Sequence, residues 1–419
     1  MTMRRVAIQT LYQGLYDGPH ATPKPSEDGP VFLGIGNITE DGKLDLKDVR
    51  HIAEEDYPTW TKRVTPQPGD IVFTYEATLN RYAIVPEGFR GCLGRRTALI
   101  RPNAAAVNPR FLFFYFFSED WRKTIGQNVL SGATVDRIPL TRLPTFPVTL
   151  PARAAQDRIA SILSAYDDLI ENNTRRIKIL EEMAQMLYRE WFVNFRFPSH
   201  EKVKIIESEL GPIPKGWTVQ RLGDVAGVNE ISIKNSTPPD QIRYIDIASV
   251  STARIEKKES MHFDDAPGRA RRIVKHGDII WSTVRPNRRS YALIVNPEPN
   301  LIVSTGFAVL TARSIPYSYL YFAVTTDDFA DYLTNHATGS AYPAVNSKDF
   351  ENAKLLIASE SVRGRFHEIT ADMLELQWSL HRRNANLRTT RDLLLPKLIS
   401  GEISVEAADD VAELTEQTA

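Results

Sequence analysis

Cysteine is nearly missing from this 419-residue chain: Cys92 is the only one. A lone thiol excludes an intramolecular disulfide and suits a reducing compartment. Arg90, Arg95 and Arg96 lie close by and could lower its pKa, but no base or resolving thiol is near in sequence, so a buried, inert cysteine is expected. Long apolar runs are missing as well. Nothing approaches the roughly 18 residues of a membrane span, and the N-terminus lacks the charged, apolar and small-residue order of a signal peptide. A cytoplasmic protein with no membrane contact is expected. Charge of one sign is also scarce, because 51 Lys and Arg face 52 Asp and Glu. No overall electrostatic pull toward nucleic acid follows, and distribution must be read instead. From Gly401 onward the chain holds Glu402, Glu406, Asp409, Asp410, Glu413 and Glu416 with no Lys or Arg. This stretch, residues 401–419, reads as a solvated, flexible acidic tail, and it leaves the remainder mildly basic.

The signatures of catalysis are absent too. There is no GxxxxGK[ST] phosphate loop, and Gly34-Ile35-Gly36 never completes a GxGxxG. No HExxH and no Cys/His group with metal spacing occurs. The Asn/Asp-Pro-Pro-aromatic motif with which amino-methyltransferases hold a flipped base is missing; Asn108-Pro109-Arg110-Phe111 shares only its first two letters. The histidines are scattered. No catalytic residue, metal ligand or chain-bound cofactor is therefore expected, although a nuclease carboxylate cluster inside a β-rich domain stays open as an alternative.

What the chain does have is itself, twice. Gly339 of Thr338-Gly339-Ser340-Ala341 follows Gly132 of Ser131-Gly132-Ala133-Thr134 by 207 positions, and Pro316 follows Pro109 by the same interval. A repeat this long means two copies of a domain. Each copy carries short β-rich runs: Val31-Phe32-Leu33, residues 70–75, 82–85 and 97–100 in the first; residues 244–247, 278–283, 292–295 and 307–310 in the second. A Gly-Asp turn enters a strand in both, at Gly69-Asp70 and Gly277-Asp278. Apolar helical runs follow at residues 111–117 and 319–322, whereas residues 12–30, rich in Gly and Pro, read as a loop. The class is α+β with mostly antiparallel strands.

After each copy comes a long helical pattern. Ile159, Leu163, Tyr166, Ile170, Asn173, Ile177, Leu180, Ala184, Leu187 and Trp191 alternate steps of four and three, the a/d seam of a coiled coil. Ile369, Met373, Leu376, Leu380, Leu387 and Leu394 draw a weaker second seam, and Asn173, Arg383 and Thr390 interrupt the two. Some 40 helical residues span about 60 Å, too long to be buried in one domain, so the two helices are expected to pair. Amphipathic helices lying on their own domains are the alternative, for which a stripe of period 3.5 is narrow.

Two loops carry recognition chemistry. Arg285, Asn287, Arg288 and Arg289 follow a strand, and Arg and Asn are the side chains that read guanine and adenine edges. Arg271 and Arg272 lie upstream, where they could hold phosphates. In the first copy Arg81 follows the matching strand and Arg95 and Arg96 come later. The loops Ser131, Gly132, Thr134 and Thr338, Gly339, Ser340, Tyr342 could offer backbone amides to phosphate. A solvated basic loop and plain chain-redirecting turns explain the same residues without a ligand.

Taken in order, these features resemble the specificity subunit of type I restriction–modification systems. The resemblance rests on the lead-in Glu207-Ser208-Glu209-Leu210-Gly211-Pro212-Ile213-Pro214-Lys215-Gly216-Trp217 with Leu222-Gly223-Asp224, on the Gly277-Asp278-Ile279-Ile280 strand, on the Thr338-Gly339-Ser340 loop, and on the closing Leu393-Leu394-Leu395-Pro396-Lys397-Leu398-Ile399-Ser400-Gly401-Glu402-Ile403. The first copy departs from it by lacking the Ile-Pro-x-Gly-Trp lead-in. The resemblance implies two α/β target-recognition domains, residues 1–151 and 200–358, separated by two long antiparallel helices, residues 152–199 and 359–400, in a pseudo-two-fold repeat. It implies a bipartite double-stranded DNA site, two methyltransferase subunits docked on the helices, and helicase-nuclease restriction subunits. S-adenosylmethionine, ATP and Mg would sit on those partners. A non-catalytic coiled-coil scaffold with two ligand-binding domains is the alternative.

Overall fold

A computed structural model describes residues 3–131, 135–234 and 238–405. Gly132, Thr134 and the acidic residues from Glu406 onward lie outside the described residues. The chain forms two compact units. Unit 1 takes the residues up to Asn172 together with those from Arg383 onward, and unit 2 takes Asn173–Arg382. Both long helices cross that division, so each unit owns part of each helix.

Unit 1 is built on an antiparallel sheet of four strands in the order Tyr12–Asp17, Thr97–Pro102, Ile71–Thr74, Tyr82–Ile84. A second sheet orders Arg50–His51, Ser26–Leu33 and Gly91–Leu93, the last two parallel. Helices Pro109–Tyr115 and Glu119–Asn128 follow, and Pro147–Leu150 returns to pair with Arg4–Ala7. Unit 2 has the same plan. Its sheet runs Ala226–Val228, Phe307–Ala312, Ile279–Ser282, Tyr291–Leu293. Gln241–Ile245 and Leu301–Ser304 supply the parallel pair, helices Tyr317–Ala323 and Asp327–His336 follow, and Lys354–Ile357 pairs with Thr218–Arg221. Even register recurs: Ile71, Val72 and Phe73 face Ile100, Leu99 and Ala98, while Ile279, Ile280 and Trp281 face Leu310, Val309 and Ala308.

The loop expected over residues 12–30 is wrong in its larger part, because strands occupy Tyr12–Asp17 and Ser26–Leu33. Gly14 marks a bulge against Pro102 and Arg101 rather than a turn. A Cβ there would meet the Tyr16 ring at 2.4 Å, so glycine serves close approach inside a strand.

The Gly-Asp turns are built alike. Gly69 and Gly277 both take positive φ, and the aspartate after each is buried. Asp70 accepts the Gln67 amide and a bidentate pair from Arg101, both at 2.8 Å. Asp278 accepts the Lys275 amide at 2.8 Å and the Thr311 hydroxyl at 2.7 Å. Burial pushes Asp278 above the usual carboxylate range and outweighs the opposing pull of the Thr311 hydroxyl and of Lys275.

The helices run Arg153–Tyr188 and Glu360–Ser400. Within unit 1, Ile159, Leu163, Tyr166 and Ile170 share a core with Leu387, Leu394 and Leu398. There Arg391 pairs with Asp167, and buried Asn384 donates to the Ile170 carbonyl at 3.3 Å, which makes the pair antiparallel. Within unit 2, Ala184 and Trp191 share a core with Phe366 and Leu374, Ile177 is buried, and Leu180 and Leu187 are half-buried. The first seam is therefore the one drawn from sequence. The second holds at Leu380, Leu387 and Leu394 but fails further up, because Ile369 and Leu376 are exposed and Met373 is only half-buried. Phe366, Thr370, Leu374 and Gln377 face inward instead. Phe366 sets that rotation: its ring lies among Tyr188, Phe192 and Phe322, with centroids 5.9, 4.9 and 5.7 Å away. Buried Thr370 is satisfied by donating to the Phe366 carbonyl, 2.8 Å, and accepting from the Ser318 hydroxyl, 3.0 Å away.

Candidate nucleic-acid interface

In unit 2 two segments that are distant in sequence make one surface. The chain leaves strand Ile279–Ser282, and Ser282 Oγ donates back to the Val284 carbonyl, 2.8 Å, to start the turn. Arg285 takes a left-handed conformation, Pro286–Arg288 form a single 3-10 turn, and Arg289 is left-handed again. Against this hairpin lies residues 338–345. Thr338 and Ala344 exchange two backbone bonds of 2.9 Å, Val345 donates to the Thr283 carbonyl and Arg285 to the Pro343 carbonyl. The tight return is made possible by Gly339 at φ +102°.

The expected reading residues thereby separate into kinds. Arg285 stacks its guanidinium 4.8 Å from the centre of the Tyr342 ring, and that ring is 71% exposed. Asn287, Arg288, Thr338 and Ser340 are exposed on the same surface. Arg289 is held by the Asp327 carboxylate and the Thr325 carbonyl, which fixes the hairpin's base. Arg271 and Arg272 are elsewhere, on strand Ala270–Ile273. Arg271 lies over the Phe263 ring at 5.0 Å and Arg272 donates to Ser232. Burial lowers the pKa of Arg272.

In unit 1, Arg81 pairs with Glu40 at 3.1 Å, Arg96 pairs with Glu76 at 3.0 Å, and Arg95 is exposed. Ser131 ends a short strand paired with Asp136–Arg137. The sequence did not single out residues 76–80, which are the counterpart of the unit 2 hairpin. Ala77 donates to the Asp136 carbonyl as Arg285 does to Pro343, and Ile138 donates to Tyr75 as Val345 does to Thr283. Tyr75 donates to Arg96 as Thr283 does to Gly306, and Thr74 to Arg81 as Ser282 does to Ser290. Ala77 and Asn80 are left-handed, like Arg285 and Arg289. The signal was available: the 208-residue interval between the Gly-Asp turns carries Arg285 onto Ala77.

Each unit also carries a cleft at matching positions. In unit 1 it is about 500 Å³, lined by Phe113, Phe117, Glu119, Asp392 and Leu395. In unit 2 it is about 260 Å³, lined by Tyr321, Thr325, Asp327, Gln185 and Tyr188. The end of the second long helix serves unit 1, and that of the first serves unit 2. Among the described residues no helix is long and apolar enough to cross a membrane, and no group of three or more His, Cys, Asp or Glu is placed to hold a metal ion. Cys92 is fully buried and its thiol is pushed up to about 12 by that burial.

These observations define a mixed α/β chain that uses one framework twice and dresses it with unlike loops. Residues 29–182 match the family described as the type I restriction modification DNA specificity domain. The chain is 24% identical over 367 residues to the MjaIX type I restriction enzyme specificity subunit of Methanocaldococcus jannaschii, covering 85% of this chain and 82% of that one. It is 22% identical over 444 residues to the HindI specificity subunit of Haemophilus influenzae, covering 89% and 94%. The fold matches the crystal structure of the type I restriction–modification S subunit from M. genitalium, with a TM-score of 0.60, 14% identity and coverage of 95% and 96%. Residues 29–182 thus carry the specificity-domain pattern, and over most of its length the chain is similar to specificity subunits of type I restriction–modification systems.

Proposed function

We propose that this chain reads a bipartite double-stranded DNA site, one half-site per unit, and contributes no catalysis of its own. The observation that carries this is the duplicated hairpin: one set of backbone bonds presents Arg285, Asn287 and Arg288 in unit 2 and different residues in unit 1. Identical framework with unlike tips suits a target of two unlike parts. Arginine on a rigid left-handed turn suits bidentate contact with guanine in the major groove, and exposed Tyr342 supplies an apolar face beside it.

Two methyltransferase subunits would dock on the helices and clefts. Ile179, Met183, Met186 and Val193 form an outward apolar stripe on unit 2, each at least 47% exposed, as expected of a helix face that meets a partner. Those subunits would bring S-adenosylmethionine and methylate adenine, and restriction subunits would bring ATP and Mg. The helices, paired as a coiled-coil spacer between pseudo-symmetric units, would set the distance between half-sites. The complex would act in the cytoplasm.

Arg285→Ala tests the reading surface. In a reconstituted methyltransferase complex it is expected to lose about 1–3 kcal/mol of discrimination at one base pair, measured as methylation of matched against singly altered sites. Unaltered target sequence and affinity would reject the assignment.

A further inference from the structure

The hairpin of residues 76–80 is the unit 1 counterpart of the unit 2 hairpin but carries none of its arginines. We infer that it is the base-reading element of unit 1 and that it selects A·T pairs, where the unit 2 hairpin selects guanine. This rests on the reading above, in which the unit 2 hairpin touches DNA.

Placement is the first argument. Four backbone hydrogen bonds and two left-handed residues recur, so the two hairpins leave equivalent strands from matching anchors, with the unit 1 tip one residue shorter: two residues separate Ala77 from Asn80 and three separate Arg285 from Arg289. Each is braced by the segment that follows its unit's second short helix: residues 136–138 in unit 1 and 343–345 in unit 2. If one tip reaches a base edge, the framework carries the other to the equivalent place on its own unit.

Chemistry is the second. Residues 76–80 are Glu-Ala-Thr-Leu-Asn and contain no Arg or Lys. Glu76 is committed to Arg96, and Leu79 packs on the unit 1 core. That leaves Ala77, exposed at the position of Arg285, with Thr78 and Asn80 beside it. Alanine and threonine methyl groups suit the thymine methyl; Asn80 keeps its Oδ1 buried, so only its amide nitrogen is left to face a base. Nothing in this tip makes the bidentate contact that favours guanine. Exposed Arg95 and Arg137 flank the hairpin and can meet phosphates on either side.

The test uses the full chain assembled with its methyltransferase subunits and a library of DNA sites, reading which sequences become methylated. Thr78→Ala with Asn80→Gly, the glycine keeping the left-handed turn, is expected to lower the preference for A·T in one half-site roughly tenfold and to leave the other half-site unchanged. Ala77→Arg places in unit 1 the residue that unit 2 holds in the same left-handed conformation. It is expected to introduce guanine preference in that same half-site. If active complexes of both variants keep the original preference in both half-sites, or if the change falls in the half-site altered by Arg285→Ala, the inference is overturned. If Arg285→Ala and Asn287→Ala also change neither half-site, the failure lies in the reading beneath it. Ala77→Arg keeps the test decisive should the double variant fail to assemble.

Discussion

Asp70 and Asp278 occupy one position in two copies and solve one problem differently. Both are buried at the start of a central strand, but Asp70 faces Arg101 whereas Asp278 faces the Thr311 hydroxyl. Asp70 is buried but Arg101 is partly exposed and can turn to water, so losing these charge-assisted bonds in Asp70→Asn is expected to cost about 2 kcal/mol. Asp278→Asn loses one hydrogen bond and is expected to cost about 1 kcal/mol; urea unfolding of the two variants makes the comparison. Burial raises the Asp278 pKa above its unfolded value. Its ionised form therefore weakens the fold: the penalty is absent below the ordinary carboxylate range and complete above the raised value. The cost of Asp278→Asn should accordingly be larger at about pH 4 than at about pH 7; equal costs would show that Asp278 is not desolvated. Cys92 gives a third check. With its thiol buried and pushed up to about 12, alkylation near neutral pH should be negligible in the folded chain and rapid once it is unfolded. Fast labelling of the folded chain would contradict this burial.

The long helices show how far a periodic pattern carries. The first seam could be read off because its inward positions are nearly all apolar, from Ile159 to Trp191. The second could not, because Thr370, Gln377 and Asn384 are buried while Ile369 and Leu376 are exposed. Buried polar groups with hydrogen-bond partners and exposed apolar ones both blur a pattern of apolar letters. The packing also changes where the helices can be lengthened together. The 207-residue interval pairs Leu180 with Leu387, but the antiparallel contacts Ile170 with Asn384 and Tyr188 with Phe366 bring Leu374 abreast of Leu180. A heptad inserted after Leu180 and after Leu374 adds about 10 Å, close to three base pairs of DNA. Under the ruler reading, the unspecified run between half-sites should grow by about that amount. An unchanged spacer in an active complex would end that reading.

For the chain entire, duplication with divergence is the informative property. Mapping the methylated adenines of the host genome should return one motif of two unlike parts separated by a run of fixed length. A continuous motif, or two identical halves, would contradict one unlike hairpin per half-site. The α+β class, the central strands Ile71–Thr74, Tyr82–Ile84 and Thr97–Pro102 with their unit 2 counterparts, the Gly-Asp turns and the first helical seam were legible in the residues. Each is a local pattern, set by alternation, turn chemistry or a 3.5-residue period within a few neighbours. The sequence missed the strand hidden behind Gly14, the rotation of the second helix, and the hairpin of residues 76–80. These depend on partners far along the chain: Arg101 and Pro102 across a bulge, Tyr188 and Phe192 around Phe366, and Asp136 and Ile138 bonded to Ala77 and Tyr75. Local propensity and spacing name the parts. Which side chains share a surface is set by long-range hydrogen bonds and core packing, and those exist only once the chain has closed on itself.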